Sequence, residues 1–272
     1  MEAVIAWIRA RIKGDLLPWY DQQSAAHHFG LSYREVEKMA LENSLLPARY
    51  QRNRNMLSLQ EQLQLFRSRV VVIGCGGLGG YIIEELARLG VGQIVAVDHD
   101  VFEEHNLNRQ LLATPDFLGL NKVAAAARRV DRLNPAVDLV PICEAFGAEN
   151  ASRILAGAHI AVDGLDSIGV RLELAEGCRR ENIPLVYGSI AGWYGYVGSQ
   201  FPGERTLEKI FGEDPKGQGM ENELGNPSFT PAVIASLEVA EVCKILLKRG
   251  APAQRRCISV DLLDMEFVEI DC

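Results

Sequence analysis

The chain has 272 residues, 48% of them hydrophobic, a size that accommodates one large α/β domain plus an appendage. A net charge of −8 argues against nucleic acid or an anionic membrane as the main partner. No apolar run is long enough to span a bilayer, and the N-terminus lacks a signal-peptide pattern.

Residues 1–48 read as a separate helical extension. Its first ten residues are amphipathic and carry an early acid, Glu2, which suits a plain helix better than a targeting peptide. Ser32 and Glu35 form a capping box that opens a helix through about Glu42. The stretch 25–32 resembles the first helix and turn of a helix-turn-helix. Six basic and six acidic side chains precede Tyr50, so no basic face is evident, and a docking or dimerisation element is expected rather than a DNA-binding one.

The remainder, 49–272, is expected to be one domain. From Arg69 onward strand-like and helix-like segments alternate. Strands are expected near 69–73, 93–98, 137–142, 159–163 and 184–188, and helices near 78–89, 121–133, 149–156 and 170–182. This alternation implies βαβ crossovers and a doubly wound, mostly parallel, Rossmann-like sheet. Segments 194–201 and 257–270 look extended with turns between them, and are expected as antiparallel edge strands. Between them, Thr230 and Pro231 are expected to cap and start a helix that ends at Gly250. The stretch 202–229, rich in Gly, Pro and charge, reads as a long loop covering a substrate.

Six cysteines, at 75, 143, 178, 243, 257 and 272, form no C-x-x-C pair, so no zinc site is expected. Scattered single cysteines suit reduced thiols and a cytoplasmic location.

Chemistry concentrates after the first long strand. Gly74, Gly76, Gly77 and Gly79 make a G-x-G-x-x-G turn at a helix N-terminus, where backbone N–H groups can meet a phosphate. Asp98 follows at the interval where an acid meets a ribose hydroxyl. These features alone would suit any nucleotide-binding α/β protein, an NAD-dependent oxidoreductase included. Beyond them come a polar cluster, Asn106, Leu107, Asn108, Arg109 and Gln110, and then Lys122. A dinucleotide site needs no such cations after the acid, whereas a triphosphate undergoing chemistry does.

These residues resemble a known family. The segment 49–52 (Arg49, Tyr50, Gln51, Arg52), the glycine loop, Asp98 to Asp100, the 106–110 cluster, the segment 119–122 and the segment 162–167 occur in the order seen in the ubiquitin-activating-like adenylyltransferases, the MoeB/ThiF/HesA group. The resemblance implies ATP-dependent adenylylation of the C-terminal glycine carboxylate of a ubiquitin-like sulfur-carrier protein, with pyrophosphate released, in molybdopterin, tungstopterin or thiamine synthesis. It implies that Arg109 and Lys122 hold phosphates, Asp98 the ribose, and that Asn106 lies against the nucleotide, with Asp100 and Gln110 beside it. Asp166 would ligate Mg²⁺, although Asp163 is close enough in sequence to share that role. Arg52 would reach into the partner subunit's site, which implies a homodimer. The carrier would end in Gly-Gly.

Two departures bear on this reading. Relatives often hold zinc through two late C-x-x-C pairs that this chain lacks. Some carry an acceptor cysteine in the crossover loop, and here no cysteine lies between Cys178 and Cys243, so activation is expected to stop at adenylation. A tRNA threonylcarbamoyladenosine dehydratase is the alternative resemblance, through segments 163–167 and 178–186.

Overall fold

The structure is a computed structural model that describes residues 2–212 and 221–271. Elements follow in chain order. The N-terminal part contains α1 (Glu2–Arg9), β1 (Leu16–Leu17), α2 (Trp19–Phe29), α3 (Tyr33–Glu42) and β2 (Leu46–Pro47). Next come α4 (Leu59–Arg67), β3 (Arg69–Ile73), α5 (Gly77–Leu89), β4 (Gln93–Val97), α6 (Lys122–Leu133), β5 (Asp138–Ile142), α7 (Ala151–Leu155) and β6 (Ile160–Asp163). The last third holds α8 (Ile168–Arg180), β7 (Leu185–Ala191), β8 (Tyr194–Gln200), α9 (Thr206–Phe211), α10 (Glu221–Leu224), α11 (Phe229–Leu247), β9 (Arg256–Asp261) and β10 (Glu266–Asp271).

The main sheet runs β10-β9-β8-β7-β6-β3-β4-β5. Strands β5, β4, β3, β6 and β7 are parallel, and β8, β9 and β10 extend the edge antiparallel. Strand order reverses between β3 and β6, which opens a crevice at the C-terminal ends of those strands. The expected α/β class, with its parallel centre and antiparallel edge, is what forms.

Both faces of β3 are buried because alternate residues serve different layers. Val70 and Val72 pack with α5, α6 and α11 through Ile82, Val130 and Val239. Val71 and Ile73 pack on the other face with α7 and α8 through Ile154 and Leu174. Helix α5 stops where expected, at Gly90, whose φ of 79° is the left-handed conformation a glycine cap supplies.

Three expectations need correcting. The helix expected to open on a Thr230 cap starts at Phe229, and the buried Thr230 hydroxyl instead donates to the Gly192 carbonyl at 2.6 Å, tying α11 to the β7–β8 turn. That helix ends at Leu247, short of Gly250, because Lys248 turns left-handed with φ 54°. The stretch 202–229 is not one loop: α9 and α10 lie within it, while residues 213–220 fall outside the described part.

The N-terminal extension has its own apolar cluster, including Ile8, Leu17, Ala25, Val36 and Leu45. It is also joined to the sheet body. Tyr50 Oη donates to the buried Glu37 Oε1 at 2.8 Å and accepts from Asn134 Nδ2 at 2.8 Å. Arg34 donates to the Gly92 carbonyl. Ser32 and Glu35 make the expected capping box at the start of α3.

Candidate active site

A cavity of about 310 Å³ lies at the crevice between β3 and β6. Gly74, Gly76, Gly77, Asp98, Asp100, Arg109, Gln110, Lys122 and Asp166 all line it. Nine residues singled out from sequence thus converge on one space.

The glycine loop explains its own composition. Gly74 has φ 90°, and a Cβ there would come 2.5 Å from the Gly164 carbonyl oxygen. A Cβ on Gly79 would sit 1.8 Å from the Gly74 oxygen, so Gly79 serves close packing behind the cavity. No side chain caps α5 at Gly76, which leaves first-turn N–H groups for an anion.

Asp98 has structural work as well. Its Oδ2 accepts from the Cys75 N–H at 2.7 Å and its Oδ1 from the Asp100 N–H at 2.8 Å, so it pins the glycine loop to the end of β4. Each oxygen keeps a second lone pair for a ligand hydroxyl. Cys75 is fully buried, and burial pushes its thiol well above the ordinary range, which makes it a packing group.

Lys122 is 7% exposed, and its Nζ bonds Asp100 Oδ2 at 2.9 Å. That hydrogen bond holds the Asp100 carboxyl below its usual range. An ammonium at the first position of α6 opposes the helix dipole, and Asp100 offsets this cost. Arg109 is half-buried, with Nη1 braced by the His105 carbonyl at 3.1 Å and Asn108 Oδ1 at 2.9 Å. Gln110 is buried with its Oε1 unpartnered. A Cβ on Gly76 would lie 3.5 Å from the Gln110 amide nitrogen, so that amide faces the glycine loop.

Besides Gly79, two predicted residues stand outside the cavity lining. Asn106 is buried behind the wall, where its Oδ1 accepts from the Glu103 N–H at 3.0 Å and shapes the turn carrying Arg109. Arg52 is exposed on a 3-10 turn, Ala48–Asn53, and is absent from the cavity wall of its own chain.

Asp163 and Asp166 separate clearly. Asp166 is exposed on the cavity wall. Asp163 is fully buried, accepts from the Leu165 N–H at 2.8 Å, and has Arg171 Nε 2.9 Å from its Oδ2. That N–H points off the oxygen, so the pair is an electrostatic contact rather than an aligned hydrogen bond. Asp166 is therefore the acid free to meet a cation. The donor set fits ATP with Mg²⁺: backbone N–H groups and cations for phosphate, and an accessible carboxylate for a hard ion. The carboxylates of Asp98 and Asp100 and a His99 nitrogen also lie within 4.8 Å of one another, but Lys122 already holds Asp100.

Sequence reading missed Arg171 and Glu238. The signal for Arg171 was present: it shares a helical stripe with Leu174, Ala175 and Cys178, all buried, and an arginine in such a stripe needs a buried partner. Glu238 is fully buried on α11 with neither oxygen hydrogen-bonded. Burial pushes its carboxyl well above the usual range, with Asp163 adding to the effect and Arg171 opposing it. The fold thus favours the protonated form of Glu238, whereas the unfolded chain ionises it near neutral pH. A raised carboxyl contributes stability that is complete below its unfolded value of 4.5 and falls as pH rises toward the native one. Glu238→Gln should therefore gain on wild type as pH rises from about 5 toward the native value, by up to about 1.4 kcal/mol per pH unit. Urea unfolding at both ends measures this, and a gap independent of pH would sink the assignment.

The ThiF family profile matches residues 50–272. The chain belongs to the ThiF family. It is 35% identical over 208 residues to the SAMP-activating enzyme E1 of Haloferax volcanii, covering 76% of this chain and 77% of that one. It is 31% identical over 208 residues to the molybdopterin-synthase adenylyltransferase of Salmonella typhimurium, covering 75% and 82%. These relatives place this ThiF-family chain among the adenylyltransferases. Among solved structures, E. coli MccB with ATP aligns at TM-score 0.67 and 22% identity, over 92% of this chain and 82% of that one, which shows a shared fold. Among the described residues, no helix is long and apolar enough to cross a membrane.

Proposed function

We propose that this ThiF-family enzyme adenylylates the C-terminal glycine carboxylate of a ubiquitin-like sulfur-carrier protein, consuming ATP and releasing pyrophosphate. The observation that supports it most is the convergence of Arg109, Lys122 and Asp166 on the cavity cradled by the glycine loop.

In this reading the glycine loop and the α5 N-terminus take phosphates, and Asp98 takes the ribose. Gln110, with its unpartnered buried Oε1, takes a donor of the nucleotide. Arg109 and Lys122 neutralise the triphosphate so that an anionic carboxylate can approach, and hold the charge that develops on the leaving pyrophosphate. Mg²⁺, held by Asp166 and phosphate oxygens, would add charge neutralisation at the leaving group. The exposed Arg52, off its own cavity, suits a role in the partner's site of a homodimer.

The carrier ends in Gly-Gly and serves sulfur transfer in molybdopterin, tungstopterin or thiamine synthesis. Activation stops at the acyl-adenylate, since no cysteine lies between Cys178 and Cys243 and, among the described residues, no thiol lines this nucleotide cavity. The location is the cytoplasm. Exchange of labelled pyrophosphate into ATP tests this reading: it should require a carrier ending in Gly-Gly. Exchange with threonylcarbamoyladenosine-containing tRNA instead, or none with any carrier, would overturn it.

A further inference from the structure

A second, larger space adjoins the nucleotide cavity. It measures about 900 Å³ and is largely apolar, with Ile190, Tyr194, Tyr196, Phe211 and Leu224 among its walls. Asp166, Arg171 and Ile190 line both spaces, so they form the shared wall. Of these, only Arg171 can attract an anion.

Arg171 is 4% exposed and rigidly held. Its Nη2 donates to the Leu165 carbonyl at 2.7 Å, its Nε lies 2.9 Å from Asp163 Oδ2, and its guanidinium carbon is 5.3 Å from the centre of the Phe211 ring. Those contacts occupy one side of the guanidinium. Nη1 has no protein acceptor among the described residues. A guanidinium fixed by its Nε side, with a free nitrogen at the junction of a nucleotide cavity and an apolar groove, is arranged to receive an anion arriving from the groove.

We infer that Arg171 is the receptor for the attacking carboxylate of the acyl substrate. This rests on the adenylylation reading above. The terminal carboxylate, arriving along the apolar groove, accepts a hydrogen bond from Nη1 and is held facing the α-phosphorus. One carboxylate oxygen forms the new P–O bond, and the bond from that phosphorus to the bridging oxygen breaks, its electron pair leaving on pyrophosphate. No net proton moves, and Arg171 stays charged throughout. The Asp163 contact fixes the guanidinium, and the Leu165 bond ties it to the loop that carries Asp166, so one anchor sets the carboxylate and the metal ligand together.

The test uses a recombinant ubiquitin-like carrier ending in Gly-Gly, as the free acid and as its C-terminal amide, binding to enzyme saturated with a non-hydrolysable ATP analogue. Wild type should prefer the acid by about 10- to 100-fold, the scale of one charge-assisted hydrogen bond. Arg171→Lys should narrow that preference. Asp163→Asn with Arg171→Gln, which leaves no buried charge unpaired, should abolish it, with the analogue kept saturating so that nucleotide affinity does not enter the ratio. A purely structural role would weaken acid and amide alike and leave their ratio unchanged. An unchanged ratio in both folded variants would therefore overturn the assignment of Arg171. A wild-type enzyme with no carrier-dependent pyrophosphate exchange would instead overturn the adenylylation reading itself, so the two failures are distinct.

Discussion

Lys122→Ala will lower carrier-dependent pyrophosphate exchange by about 10²–10³-fold, the usual cost of removing one pre-placed donor from developing charge. The buried ammonium is braced by Asp100 at 2.9 Å, so it needs no reorganisation when the triphosphate arrives. The freed Asp100 is exposed and can be hydrated, so the variant should fold. Asp166→Asn should cost a similar factor, and raising Mg²⁺ should recover part of its rate but none of the rate lost in Lys122→Ala. Steady-state exchange at several Mg²⁺ concentrations, with circular dichroism confirming the fold, reads all of this. Near-wild-type rates in both variants would show that the chemistry lies elsewhere.

Gly79→Ala will damage the fold rather than the rate alone. The added Cβ would meet the Gly74 carbonyl oxygen at 1.8 Å, and that oxygen belongs to backbone that cannot swing aside. Gly74 is itself held in a left-handed conformation against Gly164, so strain at one glycine is passed to the β6 loop that carries Asp166. A loss of about 3 kcal/mol or more is expected, on the scale of severe overpacking. Gly119→Ala is the comparison. Its φ of 78° carries strain, yet nothing lies within 4 Å of the added carbon, so it should cost about 1 kcal/mol. Chemical denaturation of both variants decides the matter. Equal losses would mean that the close packing of the glycine loop is not what requires Gly79.

Much of the fold was legible because each layer wrote its own period. The run 70–73 is apolar throughout, as a strand covered on both faces must be, and β3 spans it from Arg69 to Ile73. Gly90 marked the end of α5 because a left-handed cap needs a residue without a Cβ. Helices α4 and α9 went unread despite a capping box at Ser58 and Glu61, because they are short and sit in charged or glycine-rich surroundings. Thr230 misled because a hydroxyl before a helix reads as a cap, and only the tertiary fold brings the Gly192 carbonyl to it.

The site divides the same way. Gly74, Gly76, Asp98, Arg109, Gln110, Lys122 and Asp166 were readable as types at spacings, and they meet in one cavity. Asn106 is buried outside the cavity lining, where its Oδ1 accepts from the Glu103 N–H, a setting that sequence alone does not show. Glu238 went unnoticed because its meaning depends on a contact between α8, β6 and α11 that no local pattern encodes, whereas the helical stripe marks Arg171 as buried but does not name Asp163 as its partner. The choice between Asp163 and Asp166 also needed tertiary information: one is fully buried beside Arg171, the other open to the cavity.

Mass spectrometry of the carrier after incubation with enzyme, ATP and Mg²⁺, with no sulfur donor present, is the most direct test of activation that ends at the adenylate. The expected product is a carrier bearing one AMP on its C-terminal glycine, with no covalent bond to any enzyme cysteine. A carrier recovered as a thioester on the enzyme, or one left unmodified while ATP is consumed, would contradict it.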